Sequence, residues 1–235
     1  TTGGYELELL YCLCEHNFKI HRADTRKVKN FIRSFGNKAK TDALDAKALA
    51  DYGKERAENL ELFKPQSEQS IVLFQFVQRR KDLKIMLVAE KNRAKSPSTR
   101  MIRQSCEKVI EMLNKQVEQI TSQIKEIIVK DSLLKAKQTL LKSIPGIGEI
   151  VSFELLVLLP ELGQISRRKI ASLAGLAPKA NDSGRFQGYR RTGHGRMGIK
   201  PILFLAAMAA RNSKSPLKNF YQNLIAQGKK KMVAL

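Results

Sequence analysis

Tryptophan is absent from this 235-residue chain, and aromatic residues of all kinds make up only 6% of it. Cysteine is almost absent as well. Cys12, Cys14 and Cys106 are an odd, sparse set, too few for a disulfide framework. Cys12-x-Cys14 lies in a helical pattern with no Cys/His cluster to complete a zinc site, so the three read as buried free thiols in a reducing cytosol. No apolar run is long enough to span a membrane, and no stretch reads as a signal peptide. Acidic residues are scarce: 22 Asp and Glu stand against 43 Lys and Arg, a formal charge of +21 with a pI near 10.1. That imbalance calls for a polyanionic partner, nucleic acid first; a highly soluble, ribosome-like surface would be nucleic-acid binding too. The imbalance is uneven. From Gly163 to Leu235 there is one acid, Asp182, against 15 basic residues, whereas residues 1–62 carry 11 basic and 10 acidic. Phosphate contact should concentrate in the C-terminal third.

What is present is mostly helical periodicity. Thr1-Thr-Gly-Gly4 reads as a strand-to-helix turn. Tyr5 to His16 puts Leu9, Leu10 and Leu13 on one helical face. Phe18 to Ala23 alternates apolar and polar and predicts a strand. Asp24 or Thr25 caps a helix to Ser34, which Gly36 ends. Helix, strand and helix in so few residues suggest part of an α/β domain over residues 1–62. Residues 66–130 read as two long helices broken at Lys95-Ser-Pro-Ser98. The first puts Leu73, Phe76, Val77, Leu83 and Leu87 on its apolar side. The second carries Ile102, Cys106, Val109, Leu113, Val117, Ile120, Ile124 and Ile127 in steps of three and four, a coiled-coil seam. The pair should fold into an antiparallel hairpin with its tip at Pro97, a spacer or subunit contact. Residues 132–235 predict helices at Leu133–Lys142, Glu149–Leu158, Arg167–Ala174 (capped by Ser166), Ile199–Ala210 and Leu217–Ala226. The fold class is mainly α with a partial α/β element.

Three stretches carry candidate chemistry. Asn181 to Gly198 holds one serine, Ser183, with Arg185, Arg190, Arg191 and Arg196 and five glycines. Gly lets backbone approach a ligand, and Arg pairs with phosphate through a planar fork. The stretch reads either as a phosphate-handling loop presenting a hydroxyl or as a basic β-turn on a DNA-binding surface. The helix from Ile199 would hold it in place, and Lys200 in its first turn is a further candidate for nucleic-acid contact. Thr41 is a plausible N-cap, and Asp42 and Asp45 then share one face of a first helical turn. They could share Mg²⁺, or simply favour a helix N-terminus through its dipole. Ser143-Ile-Pro-Gly-Ile-Gly148 lies between two helices. It reads as a helix–hairpin–helix in which Pro145, Gly146, Ile147 and Gly148 leave backbone N–H groups bare for a DNA phosphate, or as a plain helical corner. Lys229-Lys-Lys231 is a solvated tail or a phosphate clamp.

Lys-Thr-Asp-x-x-Asp-Ala, Ser-Ile-Pro-Gly-Ile-Gly, then Leu-Ala-Gly-Leu-Ala-Pro…Asp-Ser-Gly…Gly-x-x-Arg, in that order around a coiled coil, resemble the insertion-sequence 110 transposases. These are also called DEDD transposases and are related to the Piv invertases. The resemblance implies an N-terminal RuvC-like, RNase H-type domain with an Asp-Glu-Asp-Asp metal site binding Mg²⁺, a coiled coil, and a C-terminal transposase domain with a catalytic serine. It implies composite sites in an oligomer on DNA (a dimer or tetramer), an element-encoded bridge RNA that selects the DNA, and a cytoplasmic, nucleoid-associated protein. Asp42 and Asp45 match the last two acidic positions as metal ligands, and Ser183 matches the serine. The first Asp and the Glu have no match here, and the chain is expected to be part of a longer protein or an incomplete copy. The competing expectation is a non-catalytic helix–hairpin–helix nucleic-acid-binding remnant.

Overall fold

The structure, a computed structural model, describes residues 6–36, 41–63, 65, 67–96, 98–193 and 195–235. The chain is mainly helical and divides into two units, Thr1–Ser67 and Glu68–Leu235.

The first unit contains α1 (Glu6–Glu15), α2 (Thr25–Ser34) and α3 (Asp42–Arg56), the last followed by a 3-10 turn, Ala57–Asn59. Side-chain caps start two of them. Asp24 accepts from the N–H groups of Arg26 and Lys27 at 2.8 and 3.2 Å, and Thr41 accepts from Leu44 N–H at 3.3 Å. Gly36, at φ +69°, takes the left-handed conformation at the end of α2. Val28, Phe31 and Tyr52 form a small core, the Phe31 ring edge-on to Tyr52 with centroids 5.3 Å apart. The expected strand at Phe18–Ala23 is not formed. The segment is irregular and makes only isolated bonds: Phe63 N–H donates to Ile20 C=O, and His21 Nδ1 lies 2.7 Å from Glu61 C=O. Alternation alone makes no strand without a neighbour to continue the ladder. Two burial expectations also fail: Leu9 is exposed while Leu10 is buried, and Cys12 is exposed rather than buried. The Thr1–Gly4 turn and Lys40 lie outside the described residues.

The second unit is organised on α4 (Glu68–Lys95) and α5 (Arg100–Lys130). Arg80 Nε donates to Thr121 Oγ1 at 3.0 Å, while Glu90, further along α4, meets Cys106, further back on α5. The two helices therefore run antiparallel. Leu83, Leu87, Leu113 and Val117 are buried between them. Ile102 is exposed, and at the other end Ile128 is fully buried while Ile127 is partly buried against the main core, because a 3.6-residue helix drifts against a strict 3.5 repeat. Pro97 lies outside the described residues.

The open end of this helical pair forms one core with α6 (Ser132–Lys142), α7 (Glu149–Leu158), α8 (Arg167–Leu173) and α9 (Ile199–Ala210). Leu73, Ile124, Ile128, Leu141, Phe153 and Ile199 all bury there. Lys125 pairs with Glu149 at 2.9 Å, linking α5 to the first turn of α7. Ser166 occupies the N-cap of α8, but its hydroxyl makes no capping bond. Two further helices, α10 (Pro216–Ala226) and the short α11 (Lys231–Ala234), come after α9; Lys230 stands at the N-cap of the latter, so the lysine run leads into a helix. Among the described residues no helix is long and apolar enough to cross a membrane.

Between α8 and α9 the chain makes two nested antiparallel ladders: β1 (Pro178–Lys179) with β4 (Arg191–Thr192), and β2 (Asp182–Ser183) with β3 (Phe186–Gln187). Their base is closed by backbone on backbone. A Cβ added to Gly195 would sit 2.1 Å from Gly175 N and 2.4 Å from its Cα, and Gly175 itself is at φ +70°. Arg196 N–H donates to Leu173 C=O at 2.6 Å. The Arg196 side chain reaches back to α7 and the turn beyond it, donating to Leu158 C=O at 2.6 Å and to both oxygens of Glu161 at 3.0 and 2.8 Å. Arg196, expected on the nucleic-acid face, is thus a clamp whose charge is already matched.

This anchoring can be tested in two ways. Gly195→Ala forces a methyl group into the Gly175 backbone and should cost about 1–3 kcal/mol, the range of an overpacked contact. Chemical denaturation reads the loss, and trypsin should cut the hairpin at Arg185, Arg190 or Arg191 faster than in the parent. The Arg196 guanidinium holds the Glu161 carboxyl below its ordinary value. The stabilisation is therefore complete above the unfolded carboxylate range and lost as pH falls through the lowered folded value. The melting temperature of Glu161→Gln should lie below that of the parent at about pH 7, and the gap should close as the pH is taken to about 3.

Candidate serine hairpin, glycine corner and acidic pair

Ser183 stands at the end of β2, directly opposite Phe186. The two residues between them, Gly184 and Arg185, make the turn. Gly184 is at φ +56° and Arg185 has no positive φ, the pattern of a II′ turn, whose twist suits tight hairpins. Further back the registers slip by one. Gly188 N–H donates to Asn181 C=O at 3.1 Å, while Lys179 pairs with Arg191, so Ala180 stands opposite both Tyr189 and Arg190. This is a β-bulge, which bends the tip of the hairpin relative to its base. Gly188 is obligatory there, since a Cβ would lie 2.3 Å from Asn181 C=O. Ser183 is exposed, and its hydroxyl has no hydrogen-bond partner among the described residues.

The cations of this stretch fall into two groups. Arg196 is spent on Glu161. Lys200 Nζ donates to Thr192 Oγ1 at 2.9 Å, tying the first turn of α9 to β4. Arg190 pairs loosely with Asp182 at 3.4 Å. Arg185 and Arg191 are exposed and make no ion pair among the described residues, so they remain available to an anion. His194, in the same stretch, lies outside the described residues. Asp182 is on the opposite face of the strand from Ser183 by period-two alternation, and it faces Arg190.

At the Ser143–Gly148 corner the glycines differ. Gly146, at φ +92°, abuts α9: a Cβ would come within 2.2 Å of Ala206 C=O and 2.9 Å of Ala210. Gly146 is thus required by helix packing against α9. Ile147 packs against the main core, and Pro145 is exposed. Gly148, exposed at the N-cap of α7, does have open space where a side chain would be.

Asp42 and Asp45 occupy the first turn of α3, in the first unit. Asp42 is exposed and Asp45 half-buried, and neither makes an ion pair or side-chain hydrogen bond among the described residues. Two neighbouring carboxylates without cationic partners are the hard oxygen donors that Mg²⁺ takes, one or two at a time, alongside phosphate and water. The pair fits part of such a site. No group of three or more His, Cys, Asp or Glu that could hold a metal occurs among the described residues.

Several contributors were not legible in the sequence. Glu161, Gly175 and the Ser183–Phe186 pairing carry no local mark, because each matters through a partner that only the fold supplies.

A DEDD transposase family model of the IS110 group matches residues 1–97, and the model described as "Transposase IS116/IS110/IS902 family" matches residues 138–222. The chain is 28% identical over 235 residues to the pilin gene-inverting protein of Moraxella lacunata, covering 98% of this chain and 72% of that one. The protein of the same name from Moraxella bovis gives the same figures. An insertion element IS116 protein of Streptomyces clavuligerus is 29% identical over 90 residues, 37% of this chain and 23% of its own. With two models of one transposase family matched in order along it, and a gene-inverting protein alike over almost its whole length, the chain belongs to the IS110 family of transposases.

Proposed function

We propose that this chain takes part in DNA strand cutting and rejoining through a covalent link between Ser183 and a DNA phosphate. The observation that carries the reading is an exposed, unbonded serine on a pinned hairpin, with two unpaired arginines, Arg185 and Arg191, in the same hairpin. In the proposed step the Ser183 Oγ attacks phosphorus. A serine–phosphate bond forms as one phosphodiester P–O bond breaks, the serine proton is lost, and the departing oxygen gains one as a strand-end hydroxyl. Because the phosphoester conserves the bond, a second strand-end hydroxyl can displace Ser183 and rejoin the DNA. Gene inversion, by the name of the Moraxella relatives, and transposition both need such rejoining.

Arg185 and Arg191 neutralise charge on the transferring phosphoryl group, where fixed cations act without reorganising. Arg190 joins them if DNA draws it from Asp182. Asp42 and Asp45 would hold Mg²⁺, which supplies Lewis-acid polarisation of the phosphate and lowers the pKa of a bound hydroxyl. Residues 1–62 are read as part of a RuvC-like, RNase H-type domain, 66–130 as a coiled-coil hairpin and 132–235 as the transposase domain. Pro145 to Gly148 form its helix–hairpin–helix corner, with the Gly148 end facing DNA. An element-encoded bridge RNA and a homo-oligomer, dimer or tetramer, are the proposed partners.

The direct test is covalent trapping. Protein is incubated with DNA carrying the element ends and Mg²⁺, denatured, and examined for a protein–DNA adduct. The adduct should form with the parent and fall by more than about 10³-fold in Ser183→Ala, the scale on which nucleophile removal acts in other covalent enzymes. Asp42→Asn and Asp45→Asn should shift the Mg²⁺ requirement to higher concentration. An undiminished adduct in Ser183→Ala removes the serine from the mechanism. Tight DNA binding without any adduct in the parent would favour the non-catalytic nucleic-acid-binding reading.

A further inference from the structure

We infer that Phe186 forms a nucleobase subsite beside Ser183, stacking on an unpaired base of the strand whose phosphate the serine meets. The inference rests on the proposed role of Ser183. Directly paired residues of an antiparallel ladder share one face, with Cβ atoms about 5 Å apart. Ser183 and Phe186 are such a pair. The Phe186 ring therefore stands on the same face as the hydroxyl, one cross-strand step away. It is 65% exposed and makes no ring contact among the described residues. An aromatic ring left in water at a hairpin tip contributes nothing to a core.

Its surroundings leave the ring open. The next residue on that face of the same strand is Gly188, which has no side chain, and the Asn181 carbonyl behind it forbids one. Arg185, without an ion pair, adjoins Phe186 in the turn. Hydroxyl, ring and free guanidinium thus lie within four consecutive positions of one II′ hairpin. That is the combination a single strand requires: a cation for the phosphate and a π-face for the base. Bases inside a duplex are covered on both faces, so the chemistry selects an unpaired base at a strand end, gap or melted step. The ring would fix the strand on the hairpin so that an adjoining phosphate lies over Ser183 Oγ. Phe186 is accordingly a positioning residue that touches substrate but takes no part in bond making.

The test uses the full chain carrying Ser183→Ala, so that no chemistry intervenes. The probe is a single-stranded DNA of roughly 20 nucleotides containing 5-iodouracil, which photocrosslinks to a stacked aromatic ring. The crosslinked peptide should contain Phe186, and pairing the probe with its complement should suppress it. Phe186→Leu should weaken binding of the single strand by roughly tenfold and abolish the crosslink, whereas Phe186→Trp should keep both. Because the ring is exposed, the variants should melt with the parent. A leucine variant that binds as tightly as phenylalanine, or a crosslink that maps elsewhere, overturns the subsite. The trapping assay with Ser183→Ala judges the nucleophile separately, so either idea can fail while the other stands.

Discussion

The crossing of Gly175 over Gly195 is the contact on which the serine hairpin depends. Two backbones pass so closely that neither position admits a side chain: a Cβ on Gly195 would fall 2.1 Å from Gly175 N, and one on Gly175 would fall 2.9 Å from Gly195 N. The described residues between Gly175 and Gly195 are thereby closed into a loop with a fixed base. A two-stranded hairpin is marginal by itself in water. This one shows only short ladders and buries almost none of its own side chains. Its order must come from below, from the glycine crossing, the Arg196 clamp onto Glu161 and the fully buried Ile199 that starts α9.

The same arrangement divides the basic residues of the stretch by task. An arginine that is to hold structure needs a carboxylate and a carbonyl, and Arg196 has both. An arginine that is to meet DNA must stay unpaired in the free protein, because a buried or matched guanidinium would have to give up a partner before binding phosphate. Arg185 and Arg191 satisfy that condition at the tip and at β4, and Arg190, with a 3.4 Å contact to Asp182, lies between the two cases. Scarcity of acid in this third of the chain is what keeps them free. Asp182 is the sole acid after residue 162, and Glu161, just before that point, is consumed by Arg196.

Much of the helical framework was readable from local rules. Asp24 and Thr41 cap as their side chains allow, and α7 and α9 occupy the spans that their apolar periodicity defines. Reading failed where a residue answers to a distant partner. Gly146 looked like a bare turn glycine, but its constraint comes from Ala206 and Ala210, some 60 positions along the chain. Phe18 to Ala23 alternates as a strand does, yet among the described residues it has no ladder to join. Arg196 reads as one of four equivalent arginines until Glu161, 35 residues back, is found against it. Of the candidate site, the Ser183-Gly184 turn was visible as a turn, but the partner of Ser183 was not, because hairpin register is set by the II′ turn and the bulge at Ala180 rather than by any residue type.

The acidic pair is held by a different device. Two carboxylates one helical turn apart repel each other unless something favours negative charge there. On α3 both fall in the first turn, where the unsatisfied N–H groups and the macrodipole of a 15-residue helix favour negative charge, and Thr41 secures the helix start. Asp42 and Asp45 are therefore both accommodated at the start of α3. The serine needs a rigid base and an open tip; the carboxylates need only a helix end and water. Each half of the proposed chemistry is thus set up by its own local structure, Asp42 and Asp45 within the first unit and Ser183 within the second, before any metal or DNA is present.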